Sequence, residues 1–431
     1  MTDGRLLDLT APVERAYLVG IENPGDGRWP IGRSLAELEA LARTAGASVV
    51  GSAFQRRRAP DAAWYLGKGR AAELVDERAA TDFNLLIVDD ELTPAQQRNL
   101  EKLVDCKVLD RSALIIDIFA KHARTREGRL QVELAQLAYH LPRLTRMWTH
   151  LSRTGGGIGT RGPGESQLET DRRLIADKIR KLRGELEDVK RQRATAARQR
   201  DRSEVSTVAL VGYTNAGKST LLNALASTDV YAANMLFATL DPTSRQVTLP
   251  TGQRVVMTDT VGFINKLPHD LVDAFRATLE EVARADLLLE VVDAADPDFI
   301  GQQAAVQQVL EQLDAADTPR ITVFNKIDRL DEARAGSPSP GSDRAAFVSA
   351  VHGQGLDALR EQIAAMLRHQ MVAVNAVVPY HRGELVARAK AAGDVTERYL
   401  AGGIRVSGHL PTAIAAEVTA AGGTRRRPTR R

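Results

Sequence analysis

The chain has 431 residues, 43% hydrophobic, 26% charged and 4% aromatic, a composition that fits a soluble, helix-rich protein of two to four domains and excludes a single ordinary core. One cysteine, Cys106, excludes a disulfide framework and a cysteine metal cluster. The opening MTDGRLLDLT lacks a signal peptide's regions and no apolar run reaches the ~20 residues of a membrane span, so a cytoplasmic protein without membrane contact is expected.

Net charge is only +3, yet it is unevenly placed: Arg172 to Arg202 holds twelve Lys/Arg against five Asp/Glu, and the chain ends TRRRPTRR. Local basic surfaces of this kind favour a polyanion, although a solvated helix face reads the same way. The first part, residues 1–128, alternates strand-like AYLVGIE, ASVVGSAF and NLLIVDD with helical SLAELEALART and TPAQQRNLEKLV. Thr93 ahead of Pro94 is a good helix start, and the alternation predicts a small parallel α/β domain.

Residues 129–203 read as a helical hairpin. Leu130, Leu134, Leu137 and Leu141 recur at helical spacing up to Pro142, and Ile175, Ile179, Leu182, Leu186 and Val189 form a second stripe. Between them lies GGGIGTRGPGESQLE, with six glycines in its first ten residues. It lacks the Gly-Lys-Ser end of a phosphate loop, so a flexible tip is expected, with Ser166 and Glu169 as the capping box of the following helix. Strands and helices alternate again over 204–370, and 371–431 has one strand pattern, one helix and another extended segment ahead of the basic tail.

The chemistry is concentrated in 204–370. VALVGYTNAGKSTLLNAL carries a complete G-x-x-x-x-G-K-S loop, Gly212, Tyr213, Thr214, Asn215, Ala216, Gly217, Lys218 and Ser219, followed by Thr220, between an apolar strand and a helix. Such a loop points backbone N–H groups at a β-phosphate, brings Lys218 to the β- and γ-phosphates and offers the Ser219 hydroxyl to Mg²⁺. Asp259 in DTVG is placed to hold Mg²⁺ through water, and Gly262 N–H to meet the γ-phosphate. Asn325, Lys326 and Asp328 form NKID, whose carboxylate accepts from the N1–H and N2–H₂ edge of guanine; Ser349 and Ala350 complete the base pocket. This ordered set is that of the GTPase superfamily, with GTP as substrate.

Phe263 stands where many regulatory GTPases carry the glutamine that orients water, so slow intrinsic hydrolysis is expected. Thr239, twenty residues after Ser219, is the first choice for the switch threonine that closes on Mg²⁺, and Thr243 the alternative. Asn215 matches loops that use K⁺ as an extra positive charge, although asparagine also suits turns.

The chain resembles the HflX-type GTPases, translation-associated GTPases close to the Obg group, in LGKGR, TREGRLQVELAQLAYHLPRL, GGGIGTRGPGESQLETDRRLI, LFATLDPTSR and DTVGFINKLPHDLVDAFRATLEEVARADLLLEVVDA. The resemblance implies a multi-domain α/β protein that binds the 50S ribosomal subunit and splits stalled 70S ribosomes under stress, its hydrolysis stimulated by the subunit. It implies that the glycine tip probes 23S ribosomal RNA. Arg143, Arg146, Trp148, Arg153, Gly155, Gly156, Gly157 and Arg161 are then the RNA-contact candidates, since arginine and aromatic rings suit phosphates and splayed bases. A hinge between two packed helices is the bland alternative. An ATP- or GTP-dependent RNA helicase or chaperone, and a GTP switch with a non-ribosomal partner, remain as other functions. A monomer is the default.

Overall fold

The structure, a computed structural model, describes residues 14–24, 29–144, 163–201, 205–226, 236–237, 239–266, 279, 281–330 and 344–422. They fall into two compact units, one drawn from Met1–Ala123, Arg129–Arg183 and Lys266–Leu271, the other from Arg124–Gly128, Gly184–Asn265 and Val272–Arg431.

The first unit begins with β1 (Arg15–Glu22), α1 (Ile31–Ala45), β2 (Ser48–Arg56), α2 (Lys68–Thr81), β3 (Leu85–Val88), α3 (Pro94–Val104), β4 (Lys107–Asp110) and α4 (Arg111–His122). The four strands are parallel in the order β2-β1-β3-β4. Central β1 and β3 are buried on both faces, which is why AYLVGI and LLIV read as unbroken apolar runs. Thr93 and Gln96 close a capping box at α3 with Pro94 inside the first turn, and the Asp110 side chain caps α4. Gly46 ends α1 at φ 94°, a left-handed position that suits glycine.

The hairpin region holds α5 (Arg126–His140), a 3-10 turn at Leu141–Leu144 and α6 (Pro163–Asp201). Pro142 sits in the turn that ends the first helix. The second helix starts at Pro163 rather than at a Ser166 cap, because proline's fixed φ suits the first helical position. Val132, Leu134 and Ala135 on α5 are buried, as are Ile179 and Leu182 on α6, and Lys178 Nζ pairs with Glu133 at 2.6 Å. The glycine tip, residues 145–162, lies outside the described residues, and with it Arg146, Trp148, Arg153, Gly155, Gly156, Gly157 and Arg161.

The second unit carries β5 (Thr207–Gly212), α7 (Lys218–Leu225), β6 (Thr243–Thr248), β7 (Arg254–Asp259), β8 (Leu287–Asp293), α8 (Phe299–Gln312), β9 (Arg320–Asn325), β10 (Ala345–Phe347) and α9 (Leu356–Arg368). Its six-stranded sheet runs β10-β9-β8-β5-β7-β6, parallel except for β6. One core packs Leu210, Leu221, Met257, Leu289 and Ile363 together, and the other face buries Val211, Phe263, Val282 and Leu310.

The last part holds more than its sequence pattern promised: β11 (Val372–Val378), α10 (Gly383–Ala392), β12 (Asp394–Leu400), β13 (Gly403–Leu410) and α11 (Thr412–Ala421). The antiparallel sheet runs β11-β13-β12. β12, DVTERYL, is an edge strand with no fully buried residue, and α11 is rich in alanine, so neither stands out by periodicity. Among the described residues no helix is long and apolar enough to cross a membrane.

Candidate active site

The loop between β5 and α7 sits at the carboxyl end of the sheet, at the point where strand order reverses between β5 and β8. Ligands of open parallel sheets bind in that crevice. Two glycines are required there. Gly212 has φ 146° and a Cβ on it would lie 2.2 Å from the Val291 carbonyl; Gly217 has φ 94° and its Cβ would lie 2.3 Å from Asn325 Nδ2. Asn215 also has a positive φ of 61° and is exposed, which its short polar side chain tolerates.

Lys218 is buried and its ammonium donates to the carbonyl oxygens of Gly212 at 3.1 Å and Tyr213 at 2.9 Å. Burial lowers its pKa to about 8, Asp259 opposing the fall and Lys326 adding to it. A cation held in the water-poor loop at such a cost suits an anionic partner.

Ser219 at the head of α7 donates to Asp259 Oδ2 at 2.6 Å and lies 2.7 Å from Thr239 Oγ1. Thr243 instead heads β6 and is exposed. Burial raises the Asp259 pKa, with Lys218, Ser219 and Thr239 pulling against it. Its Oδ1 is buried without a hydrogen-bond partner, as is Thr214 Oγ1. Two hydroxyls and a carboxylate with a spare buried oxygen form an all-oxygen donor set of the kind a hard cation such as Mg²⁺ takes.

Gly262 follows in the same segment, and a Cβ there would stand 2.8 Å from Thr214 Cα and 3.1 Å from Lys218 Nζ. Phe263 N–H donates to the Gly212 carbonyl at 3.1 Å and its own carbonyl accepts from Thr214 N–H at 2.8 Å. The Phe263 ring is buried beside Val211, Leu279 and Val282. It is therefore a packing residue that pins this segment to the phosphate loop. Tyr213 adds a second pin that sequence reasoning missed: its hydroxyl accepts from Asn265 N–H at 2.7 Å.

Asn325 at the end of β9 donates from Nδ2 to the Ala216 carbonyl at 2.9 Å and accepts from Ala350 N–H at 3.1 Å, tying the two loops together. Lys326 lies over the loop from the other side, donating to the Asn215 carbonyl at 2.6 Å and pairing with Asp293 at 2.7 Å. Asp293, at the end of β8, carries no motif signal. Asp328 accepts from Ser349 Oγ at 2.5 Å, which holds its carboxyl below the usual carboxylate range and leaves it charged. A fixed carboxylate beside the Ser349 and Ala350 backbone is a receptor for two adjacent N–H donors on one edge of a flat base, as guanine has.

With this geometry in place, residues 207–326 match the family described as 50S ribosome-binding GTPase, 32–120 that described as GTP-binding GTPase N-terminal, and 122–200 that described as GTP-binding GTPase Middle Region. The GTPase HflX of Lacrimispora saccharolytica is 46% identical over 96% of this chain and 97% of its own. The chain belongs to the HflX GTPase family. Other HflX GTPases are similar over most of its length: that of Caldanaerobacter subterraneus is 48% identical over 90% of this chain and 89% of its own, and that of Escherichia coli K12 46% over 82% and 84%. As an HflX member the protein is a GTP-hydrolysing α/β enzyme with a phosphate-loop domain.

Arg143 is engaged within its own unit. Its guanidinium pairs with buried Asp110 at 3.0 Å, donates to the carbonyls of Leu92 and Tyr139, bonds Gln97 and stacks 3.5 Å over the Tyr139 ring. With its donors bonded there, Arg143 holds the turn after α5.

Proposed function

We propose that this HflX GTPase binds the 50S ribosomal subunit in its GTP state, separates stalled 70S ribosomes under stress, and is stimulated in hydrolysis by the subunit. The observation that carries the reading is the Ser219–Thr239–Asp259 cluster beside the buried Lys218, within the segment that matches the family described as 50S ribosome-binding GTPase. In this reading the backbone of Gly212 to Ser219, with Thr220, cradles the phosphates while Lys218 reaches the β- and γ-oxygens. Ser219 and Thr239 would hold Mg²⁺ directly and Asp259 would hold it through water. When bound, the metal supplies neutralisation of charge on the phosphate oxygens. Gly262 N–H meets the γ-phosphate, Asn325, Lys326, Asp328, Ser349 and Ala350 select guanine, and K⁺ binds beside Asn215.

With Phe263 packed away, no side chain at that position orients the attacking water, which supports a low basal rate and a need for the ribosomal partner. We place the protein in the cytoplasm as a monomer divided at 1–128, 129–203, 204–370 and 371–431, with Arg146, Trp148, Arg153, Gly155, Gly156, Gly157 and Arg161 facing 23S RNA.

Sedimentation with purified 70S ribosomes at stated ionic strength tests this reading. Association with 50S in GTP or a non-hydrolysable analogue but not in GDP, with loss of the 70S peak, is expected. Protein that stays at the top of the gradient in every nucleotide state defeats it. Deleting Gly155 to Gly164 is expected to abolish splitting and spare basal hydrolysis.

A further inference from the structure

The C-terminal sheet buries one face only. Val374, Val378, Ile404, Val406 and Leu410 pack with Leu385, Val386, Ile414 and Val418 of α10 and α11 in one apolar cluster. Side chains alternate along a strand, so the remaining rows lie on the opposite face. Register places them across the three strands as Val377–Arg405–Arg398, Asn375–Ser407–Thr396 and Ala373–His409–Asp394.

Arg398 and Arg405 are exposed and directly opposite one another. Neither makes a hydrogen bond or ion pair among the described residues. Like charges placed opposite across an antiparallel pair destabilise it, so this arrangement favours an anion lying over both. The one carboxylate in the three rows, Asp394, is taken by Arg368. Glu397 alternates to the other face and pairs with Lys390 at 3.1 Å. Thr396 and Ser407 hydroxyls lie 3.1 Å apart in the next row, beside exposed Asn375.

We propose that this open face binds the phosphodiester backbone of an RNA strand. Arginine forks, hydroxyls and an amide on a shallow surface are the groups that contact phosphate and sugar oxygens. A protein partner is less well served, because the rows offer Val377 as their only large apolar side chain. Binding to isolated RNA is read independently of ribosome sedimentation.

Fluorescence anisotropy of labelled oligouridine with the full chain tests the proposal. Arg398→Glu/Arg405→Glu is expected to weaken binding by about tenfold or more at low salt and to reduce the slope of log K against log salt by about 1.4, the value for two single-strand phosphate contacts. Arg398→Gln/Arg405→Gln should show the same slope change with a smaller loss, and Arg398→Lys/Arg405→Lys should keep most of the slope. Unchanged affinity and slope in the Glu pair, with melting temperature and basal GTP hydrolysis as in the parent, overturn the proposal. Displacement of oligouridine by polyglutamate at equal charge would also overturn it, assigning the face to acidic protein instead.

Discussion

The molecule contains two parallel sheets that reverse strand order at an inner strand, β1 in the first and β5 in the second. Both bring an aspartate to the crevice, Asp89 after β3 and Asp259 at the end of β7. The first crevice is closed by the protein's own groups: Asp89, fully buried, takes Arg111 at 2.9 Å, Ser34 at 2.6 Å and Lys266 at 2.6 Å, while Arg111 also pairs with Glu37. In the second, Asp259 keeps one oxygen without a hydrogen-bond partner, and the Lys218 ammonium, which acts on Asp259 only through its charge, hydrogen-bonds loop carbonyls alone among the described residues. Charges satisfied internally make a structural joint, whereas charges left short of partners make a binding site.

The sharpest way to break the comparison is at the base pocket. Asp328→Asn replaces an acceptor with a donor facing guanine's N–H edge, so GTP affinity should fall on the order of 10⁴-fold, while xanthosine triphosphate, which offers an oxygen there, gains. Titration of both nucleotides reads this directly. If GTP affinity drops less than tenfold, Asp328 does not read the base.

Next in size is a stability contrast between the two crevices. Arg111→Met takes the buried guanidinium away from Asp89, which keeps Ser34 and Lys266, and from Glu37, and losing one partner of a buried ion pair costs up to about 3–5 kcal/mol. Lys218→Met removes a buried cation with no carboxylate partner, so the nucleotide-free protein should melt at the same or a higher temperature while GTP hydrolysis is lost. Denaturant melts of the two variants check the contrast. A Lys218→Met protein destabilised as much as Arg111→Met would mean both crevices are structural.

These differences in charge satisfaction also explain what sequence could convey. The phosphate loop, DTVG and NKID are legible because each needs a local backbone shape that neighbouring residues alone supply. Ser219, Thr239 and Asp259, separated by 20 and 40 positions, could be grouped only because their motifs are ordered. The internal contacts of Arg143 leave no short pattern, since its partners Asp110, Gln97 and Leu92 lie 33, 46 and 51 residues away. The pairing of Asp293 with Lys326 and the bond from Asn265 N–H to the Tyr213 hydroxyl are hidden for the same reason. β12 and α11 carry weak periodicity because one alternates with exposed charges and the other is small and apolar on most sides.

A smaller effect sits at the start of α3. Thr93→Ala removes the side-chain acceptor of the α3 capping box and should cost about 1 kcal/mol, seen in a denaturant melt, with GTP affinity unchanged. A drop in GTP affinity alongside it would show that the first unit's stability is coupled to the nucleotide site.

The smallest expected effect tests the Lys218 environment itself. Burial lowers its pKa from 10.5 to about 8, and phosphate oxygens beside the ammonium must push it back up. Below pH 8 the ammonium is already charged, so nucleotide binding needs no proton; above it, binding must take one up. Apparent GDP affinity should therefore fall about fourfold between pH 7 and 8.5, from the ratio of protonated fractions, with proton uptake visible in calorimetry as a dependence of heat on buffer. The nucleotide-free protein behaves oppositely. A lysine with a depressed folded pKa binds fewer protons folded than unfolded between pH 8 and 10.5, so its contribution to stability rises through that window. Flat GDP affinity to pH 8.5 with no buffer-dependent heat would mean that loop carbonyls already hold Lys218 fully charged, and the second crevice would then be satisfied internally like the first.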